Sequence, residues 1–203
     1  MAIPVRTKQE VVSQFRSGEI LDAARKVFAE KGFAGTTMEE IAERSGLAKG
    51  TLCLYFPSKQ DIYMATLKRG VAGVVEHARE VMAAAGSLRA KIKAFVETRF
   101  EALERDRDFI RIYYAEFGNL AHTGCSNPGL RELYERQLKD LEEMLSAAVE
   151  AGEMRTLPVD AAAVALYETT RGWLWRMLLT GSPRTPQEDI EVLTDILWKG
   201  IGQ

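Results

Sequence analysis

The chain has 203 residues, of which 46% are hydrophobic and 28% are charged, and its formal net charge is −2. This composition is ordinary for a globular protein with a sizeable core, and the charge by itself gives no indication of nucleic-acid binding. With two histidines, two cysteines and no CxxC or HExxH motif, neither a metal site nor a cofactor is expected. No stretch reaches the roughly 18 uncharged apolar residues of a membrane span. The polar N-terminus lacks a secretory signal, so we expect a cytoplasmic protein.

Residues 1–14 are predicted as an N-terminal arm, followed by a small helical domain over residues 15–67. Its most informative part is residues 36–59, where two short helices are joined by a tight turn. Gly46 follows the first helix, because a glycine adopts positive φ at a helix C-terminus with little cost. Pro57 ends the second, since the residue before a proline is pushed away from helical geometry. A helix-turn-helix of this kind lays its second helix in the major groove of DNA.

A capping pair marks the start of the first of these two helices. Thr37 and Glu40 have the S/T-x-x-E spacing in which each side chain satisfies a free backbone amide. Thr36 and Glu39 offer the same pairing one residue earlier, so the boundary stays open by one residue.

Beyond this domain, the chain is predicted as a series of helices separated by glycine, proline and serine, with no strand-like alternation. The expected helices cover residues ~59–84, ~88–105, ~107–121, ~128–151, ~159–180 and ~187–201. The helix at ~159–180 is apolar nearly all round, which indicates burial on more than one side. A second subunit supplies that burial most simply, so a homodimer through the last two helices is expected.

The small domain carries a succession of motif positions along its length. They are Ile20-Leu21-x-Ala23-Ala24-x-x-x-Phe28, Gly32-Phe33, Thr37-x-x-x-Ile41-Ala42, Ser45-Gly46-Leu47-x-Lys49-Gly50-Thr51-Leu52, Tyr55-Phe56, Ser58-Lys59 and Ile62. This succession resembles the DNA-binding domain of the TetR family of bacterial transcriptional regulators. The resemblance implies an all-α fold, with an N-terminal three-helix helix-turn-helix DNA-binding domain. It also implies a C-terminal helical domain, residues 68–203, for ligand binding and dimerisation.

The candidate contacts to double-stranded operator DNA lie on and around the second short helix: Thr37, Lys49, Gly50, Thr51, Cys53, Tyr55 and Lys59. Lys49 is predicted to reach a guanine edge or a phosphate, and Thr51 to hydrogen-bond a base or a phosphate. Gly50 lets the backbone come close to DNA. The resemblance implies backbone contacts for Tyr55 and Lys59, and the start of the long helix at Lys59 suits a phosphate. Thr37 is a helix cap first and a phosphate contact second.

Cys53 departs from the family pattern, which usually places a tyrosine at this position that reaches the DNA backbone. A cysteine is too short for that contact. Cys53 is therefore expected to face a base or a methyl group, or to contribute little.

Charged and aromatic residues on the apolar helices are candidates for a ligand site: Arg99, Tyr113, Phe117, Tyr167 and Arg171. They are the usual makeup of a pocket for an apolar or aromatic small molecule. If the arginines face a cavity, the ligand should carry an acidic or electron-rich group. The structural alternative is that Arg99, Glu168 and Arg171 bridge one another, and that the aromatic side chains are core.

These patterns together predict a homodimeric transcription factor that represses at a palindromic operator and is released by a small-molecule effector. Two alternatives stay open: an all-α enzyme with an incidental helix-turn-helix, and a DNA-binding protein without an effector. No nucleophile–base pair, paired carboxylate site or phosphate loop favours the enzyme, and we assign no catalytic residue. The identity of the effector, the operator sequence and the direction of regulation stay open at this point.

Overall fold

The structure is a computed structural model that describes residues 7–123 and 128–202, with the side chains of residues 8, 9 and 116–130 left outside the description. Apart from one isolated bridge between Met154 and Gly202, this part of the chain is helices and connections, as the all-α prediction requires. Its helices are α1 Lys8–Gly35, α2 Met38–Arg44, α3 Lys49–Tyr55, α4 Lys59–Ala84, α5 Leu88–Arg105, α6 Arg107–Thr123, α7 Pro128–Glu150, α8 Val159–Thr180 and α9 Pro186–Ile201.

The helix boundaries agree with the sequence predictions except at two places. Residues 8–14, predicted as part of an arm, belong to α1, and residues 1–6 lie outside the described residues. His122 and Thr123, predicted as loop, extend α6, while Cys125 of the same predicted loop also lies outside the description. The division at residue 14 therefore falls inside a helix. The division at residue 67 falls within α4, the long helix predicted to cross between the two regions.

The capping ambiguity before α2 is resolved in favour of Thr37. Its hydroxyl accepts from the backbone N–H of Glu40, and the carboxylate of Glu40 accepts from the backbone N–H of Thr37 at 2.8 Å. Thr36 instead ends α1: it is buried, and its hydroxyl donates to the carbonyl of Gly32 at 2.7 Å. Gly32 has φ 69° and breaks the regular geometry near the end of α1, a conformation that favours glycine.

The helix-turn-helix region packs on the first part of α4. Ile20, Phe28, Ile41 and Leu52 are almost fully buried and belong to a core cluster that continues into the rest of the chain. The predicted core residues Leu47 and Phe56 are partly buried against the same cluster.

The remaining helices form a second body, joined to the first by more than α4. α6 packs against both α1 and α4. A Cβ at Gly70 of α4 would overlap the ring of Phe109, so the glycine permits this close approach. Asp106 links three elements: one carboxylate oxygen accepts from the N–H of Phe109 at 3.0 Å, and the other pairs with Arg25 of α1. A displacement of α6 would therefore move Asp106 and, through the ion pair of Asp106 with Arg25, would also act on α1.

No helix in the described ranges 7–123 and 128–202 is long and apolar enough to cross a membrane.

Candidate nucleic-acid interface and ligand cavity

Helix α3 has one buried side and one exposed side. Leu52 anchors it in the core, while Lys49, Gly50 and Thr51 are exposed at its N-terminal end. Leu54 is 85% exposed, the largest value among the large apolar side chains that are exposed. Positions 50, 51 and 54 share a face because residues three and four apart are neighbours on a helix. The structure thus brings two of the predicted DNA contacts, Gly50 and Thr51, together with Leu54 on one open surface, and Lys49 is exposed at the same end of the helix.

Leu54 was missed by the sequence predictions. Its spacing from Gly50 and Thr51 was available as a signal, because a leucine on the face opposite Leu52 cannot belong to the same core. An exposed apolar side chain on such a helix can contact the methyl group of thymine in the major groove.

Lys49 and Thr37 are held by local polar contacts. The ammonium of Lys49 donates to the carboxylate of Glu39 at 2.5 Å, and this hydrogen bond raises the pKa of Lys49. Thr37 is exposed and is occupied in capping α2. The ammonium of Lys49 therefore lies next to the first turn of α2. To bind Lys49, a DNA phosphate would have to displace the carboxylate of Glu39.

Lys59 has a structural role that its sequence position did not predict. Its ammonium donates to the carbonyls of Phe33 and Thr36, each at 2.7 Å, and lies 4.4 Å from the centroid of the Phe33 ring. These carbonyls belong to the end of α1, where the break at Gly32 leaves backbone groups in need of partners. A contact between Lys59 and DNA therefore remains a prediction, and any variant at this position must be checked for folding.

Cys53 and Tyr55 are both partly exposed. Tyr55 packs against the core cluster, and Cys53 is a free cysteine. Their predicted contacts to DNA also remain predictions.

A cavity of about 50 Å³ lies between α4, α5, α6, α7 and α8. Four of the five predicted ligand residues line it: Arg99, Tyr113, Tyr167 and Arg171. The fifth, Phe117, has its side chain outside the described residues. Most of the remaining lining is apolar: Val71, Val74, Ala102, Phe109, Ile110 and Leu174. The sequence predictions did not include Gln137, which also lines the cavity and is buried.

Tyrosine hydroxyls provide most of the polar contacts around the cavity. Those of Tyr113 and Tyr167 share a hydrogen bond of 2.5 Å, and Tyr114 donates to the carbonyl of Arg171 at 2.9 Å. Burial raises the pKa of Tyr113 to about 12 and raises those of Tyr114 and Tyr167 as well. All three tyrosines are therefore neutral near pH 7 and act as hydrogen-bonding groups.

The two arginines of the cavity differ in their partners. Arg171 is paired with Glu168 three residues earlier on α8, with Nε donating to the carboxylate at 2.7 Å. This is the structural alternative considered for the pair. Among the residues that the structure describes, Arg99 belongs to no such bridge, and its guanidinium lies 3.8 Å from the centroid of the Phe95 ring.

Within the described part of the chain, no group of three or more histidine, cysteine or acidic side chains is placed to hold a metal ion.

The chain thus has an exposed helix of a helix-turn-helix, which a long helix joins to a body that contains a cavity. Residues 20–66 match the family model described as bacterial regulatory proteins of the tetR family. The match assigns residues 20–66 to this family.

The chain is similar to several regulators of known name. It is 34% identical to the HTH-type transcriptional activator FasR of Mycolicibacterium smegmatis over 49% of this chain and 45% of FasR, and so spans about half the length of that relative. It is 28% identical to the HTH-type transcriptional repressor KstR2 of Mycobacterium tuberculosis over 92% of both chains. The structure of the transcriptional regulator FadR from Bacillus subtilis with stearoyl-CoA superposes with a TM-score of 0.77 at 20% identity, over 90% of this chain and 98% of FadR. At that identity the last comparison shows the fold alone.

Proposed function

We propose that this protein is a homodimeric repressor that binds an inverted-repeat operator and is released from it by an apolar or aromatic small molecule. One observation carries the proposal: the exposed face of α3 and the cavity are connected through a single helix, α4. This helix begins four residues after α3 ends, and its residues Val71 and Val74 line the cavity.

The DNA contacts in this proposal are those on the open face of α3. Lys49 and Thr51 reach base edges or phosphates, Gly50 allows close approach, and Leu54 contacts a thymine methyl group. Thr37, Cys53, Tyr55 and Lys59 lie at the margins, where contacts to the DNA backbone position the domain without reading sequence.

Exposed apolar residues on the last two helices support the dimer. Trp175 and Leu179 are on one face of α8, where Leu179 is 62% exposed, and Val192 and Ile196 are on one face of α9. Exposed large apolar side chains grouped on a helix face are typical of a subunit interface. Packed against the same faces of a second copy, α8 and α9 would form a four-helix interface. Two equivalent α3 helices would then meet successive major grooves, about 34 Å apart.

The effector would act by shifting a population between two arrangements of the dimer. The cavity of about 50 Å³ is small beside the ~300–1,000 Å³ of typical ligand sites, so a ligand must separate the surrounding helices. Displacement of α6 would be passed to α1 through Arg25 and Asp106, and to α4 through Phe109 and Gly70. The two α3 helices would then be wrongly spaced for the operator.

The mostly apolar lining of the cavity supports a ligand with a substantial apolar part. The comparisons are in keeping with such a ligand, since FadR from Bacillus subtilis, which shares the fold, is described with stearoyl-CoA. They leave the direction of regulation as a proposal, because FasR is named an activator and KstR2 a repressor. We favour repression, since occupation of an operator is enough to block transcription. A reporter gene under the bound promoter would give higher expression without the protein if this is correct, and lower expression if it is an activator.

The first experiment is footprinting across the protein's own promoter region at moderate salt. Two protected half-sites in inverted repeat are expected, about one helical turn or a multiple of it apart. A Leu179→Glu/Ile196→Glu variant should sediment as a monomer and lose the footprint, while Lys139→Glu, an exposed change on α7, should keep both. Equal affinity of the unaltered protein for the protected sequence and for random DNA would refute the proposal.

A further inference from the structure

The guanidinium of Arg99 lies in the wall between two neighbouring cavities. The larger is the cavity of about 50 Å³ described above, and a smaller one of about 10 Å³ lies towards Met82 and Leu141. Arg99 and Gln137 line both, so these two side chains form the partition. Both cavities follow α4, which contributes residues from Val71 to Met82 to their walls. Arg99 is partly buried, and part of its side chain borders these two cavities.

Arg99 makes few polar contacts for a charged side chain that is partly buried. Beyond its stacking on Phe95, it makes one hydrogen bond, a donation to the hydroxyl of Thr98 at 3.3 Å, among the residues that the structure describes. No carboxylate in those residues lies within 4.0 Å of it, the limit for an ion pair. Burial lowers the pKa of Arg99, because removing the charged guanidinium from water costs free energy. An arginine does not lose its proton in a protein, so an anionic partner is the remaining compensation.

Arg171 lines the larger cavity too, but its position is different. Its charge is already balanced by Glu168 on the same helix. A ligand anion would have to displace that carboxylate to reach Arg171, whereas at Arg99 it would meet a guanidinium with unused donors.

We propose that Arg99 anchors the acidic group of the effector, and that the effector is an apolar carboxylic acid with a single negative charge. The cavity contains one cation without an acidic partner in the described residues, and its other cavity-facing polar groups, such as Tyr113, Tyr167 and Gln137, are neutral. A carboxylate can accept two parallel hydrogen bonds from a guanidinium, which matches the charge and the shape of this group. The apolar part of the ligand lies against Val74 and Phe109.

Because Arg99 lies between the two cavities, binding of an acid to it would have a second consequence. A carboxylate that turns Arg99 away from Phe95 would join the two cavities into one channel along α4. The channel would admit a longer acid than the closed cavity does. The inference rests on the proposed function only where it links binding of the acid to release from DNA. Binding of the acid itself can be measured without DNA.

The test uses the full chain and two matched pairs of probes: phenylacetate with phenylethanol, and decanoate with decanol. Binding is followed by the rise in melting temperature and by tryptophan fluorescence. Each acid should bind about tenfold or more tightly than its alcohol, since a hydrogen bond to a charged group is stronger than one between neutral groups. Arg99→Met removes the charge at similar length, and should abolish this preference while keeping the affinity for the alcohols.

Arg171→Met is the matched control and should keep the preference for the acids. Arg99→Lys keeps the charge with a different geometry, and should bind the acids several-fold more weakly than the unaltered protein while still preferring them. The proposal is overturned if neither acid binds, if acid and alcohol bind equally, or if Arg99→Met retains the preference. Failure of the unaltered protein to bind an operator would refute the proposed function and leave the preference for acids to be judged separately.

Discussion

The helix-turn-helix region and the cavity differ in how far along the chain their polar contacts reach. In the first, Thr37 caps with Glu40 three residues away, and Lys49 pairs with Glu39 ten residues away. In the second, the hydroxyls of Tyr113 and Tyr167 meet across 54 residues, and Tyr114 bonds to a carbonyl 57 residues away. The candidate DNA surface is thus built by a short segment on one exposed helix. The cavity exists only when several helices have packed.

This difference teaches that the two regions should respond differently to substitution. A change on the open face of α3 should remove a predicted contact to DNA and leave the fold intact, because the face is exposed. A change in the cavity alters stability and ligand binding together, because the same hydroxyls that would meet a ligand also hold the helices to one another.

The largest expected effect is a loss of operator affinity on substitution in α3, without a change in folding. Lys49→Ala and Thr51→Ala should each weaken operator binding by about 1–3 kcal/mol, or about 5- to 150-fold, with an unchanged melting temperature. Glu39→Gln should instead strengthen operator binding, because it frees the ammonium of Lys49 to contact DNA. Binding isotherms over several salt concentrations measure both effects.

Lys139→Ala, which removes an exposed lysine from α7, is the control and should not change operator affinity. If Lys49→Ala and Thr51→Ala also leave it unchanged, the face assigned to DNA is wrong.

An effect of comparable size, on the free energy of unfolding, is expected within the cavity. Tyr113→Phe should destabilise the protein by about 1–3 kcal/mol, because it leaves the buried hydroxyl of Tyr167 without its partner. Tyr167→Phe should cost less, since the hydroxyl of Tyr113 keeps a hydrogen bond with Gln137. The double variant should cost less than the sum of the two. Urea unfolding of the four proteins measures this cycle.

The same positions test whether the cavity binds the effector. Tyr113→Ala and Tyr167→Ala should each lose the response to ligand and the accompanying thermal shift. Full response in both variants would mean that these side chains belong to the core alone.

The smallest expected effect concerns the cap of α2 and its dependence on pH. Hydrogen bonds from Lys31 and Thr37 lower the pKa of Glu40 from 4.5 to about 2. A folded pKa below the unfolded one means that this stabilisation is complete above pH 4.5 and is lost as the pH falls towards 2. Thermal unfolding of Glu40→Gln should therefore show a slightly lower melting temperature near neutral pH and a weaker acid dependence between these values. An acid profile identical to that of the unaltered protein would show that the carboxylate contributes nothing to stability.

Several features could be predicted from the sequence because they depend on neighbours along the chain. Helical periodicity, the glycine at 46, the proline at 57 and the capping pair set α2 and α3 to within a residue or two, whereas α1 begins at Lys8, inside the predicted arm. The exposed face of α3 follows from the same periodicity, and Leu54 could have been found by it. Four of the predicted ligand residues also line one cavity, because charges and aromatic groups on apolar helices tend to face internal space.

The sequence by itself determined the all-α fold, the place of the helix-turn-helix and the exposed side of α3, since each depends on helix geometry over short distances. Only the tertiary structure decided which charges are already paired. Arg171 is balanced by Glu168 and Lys59 is occupied by two carbonyls of α1, whereas Arg99 lies between two cavities with a single hydrogen bond among the described residues. Nothing in residue type or spacing separates these three cations. Their partners are chosen by how the helices pack, and the free energy of a buried charge depends on the groups that surround it rather than on its place in the chain.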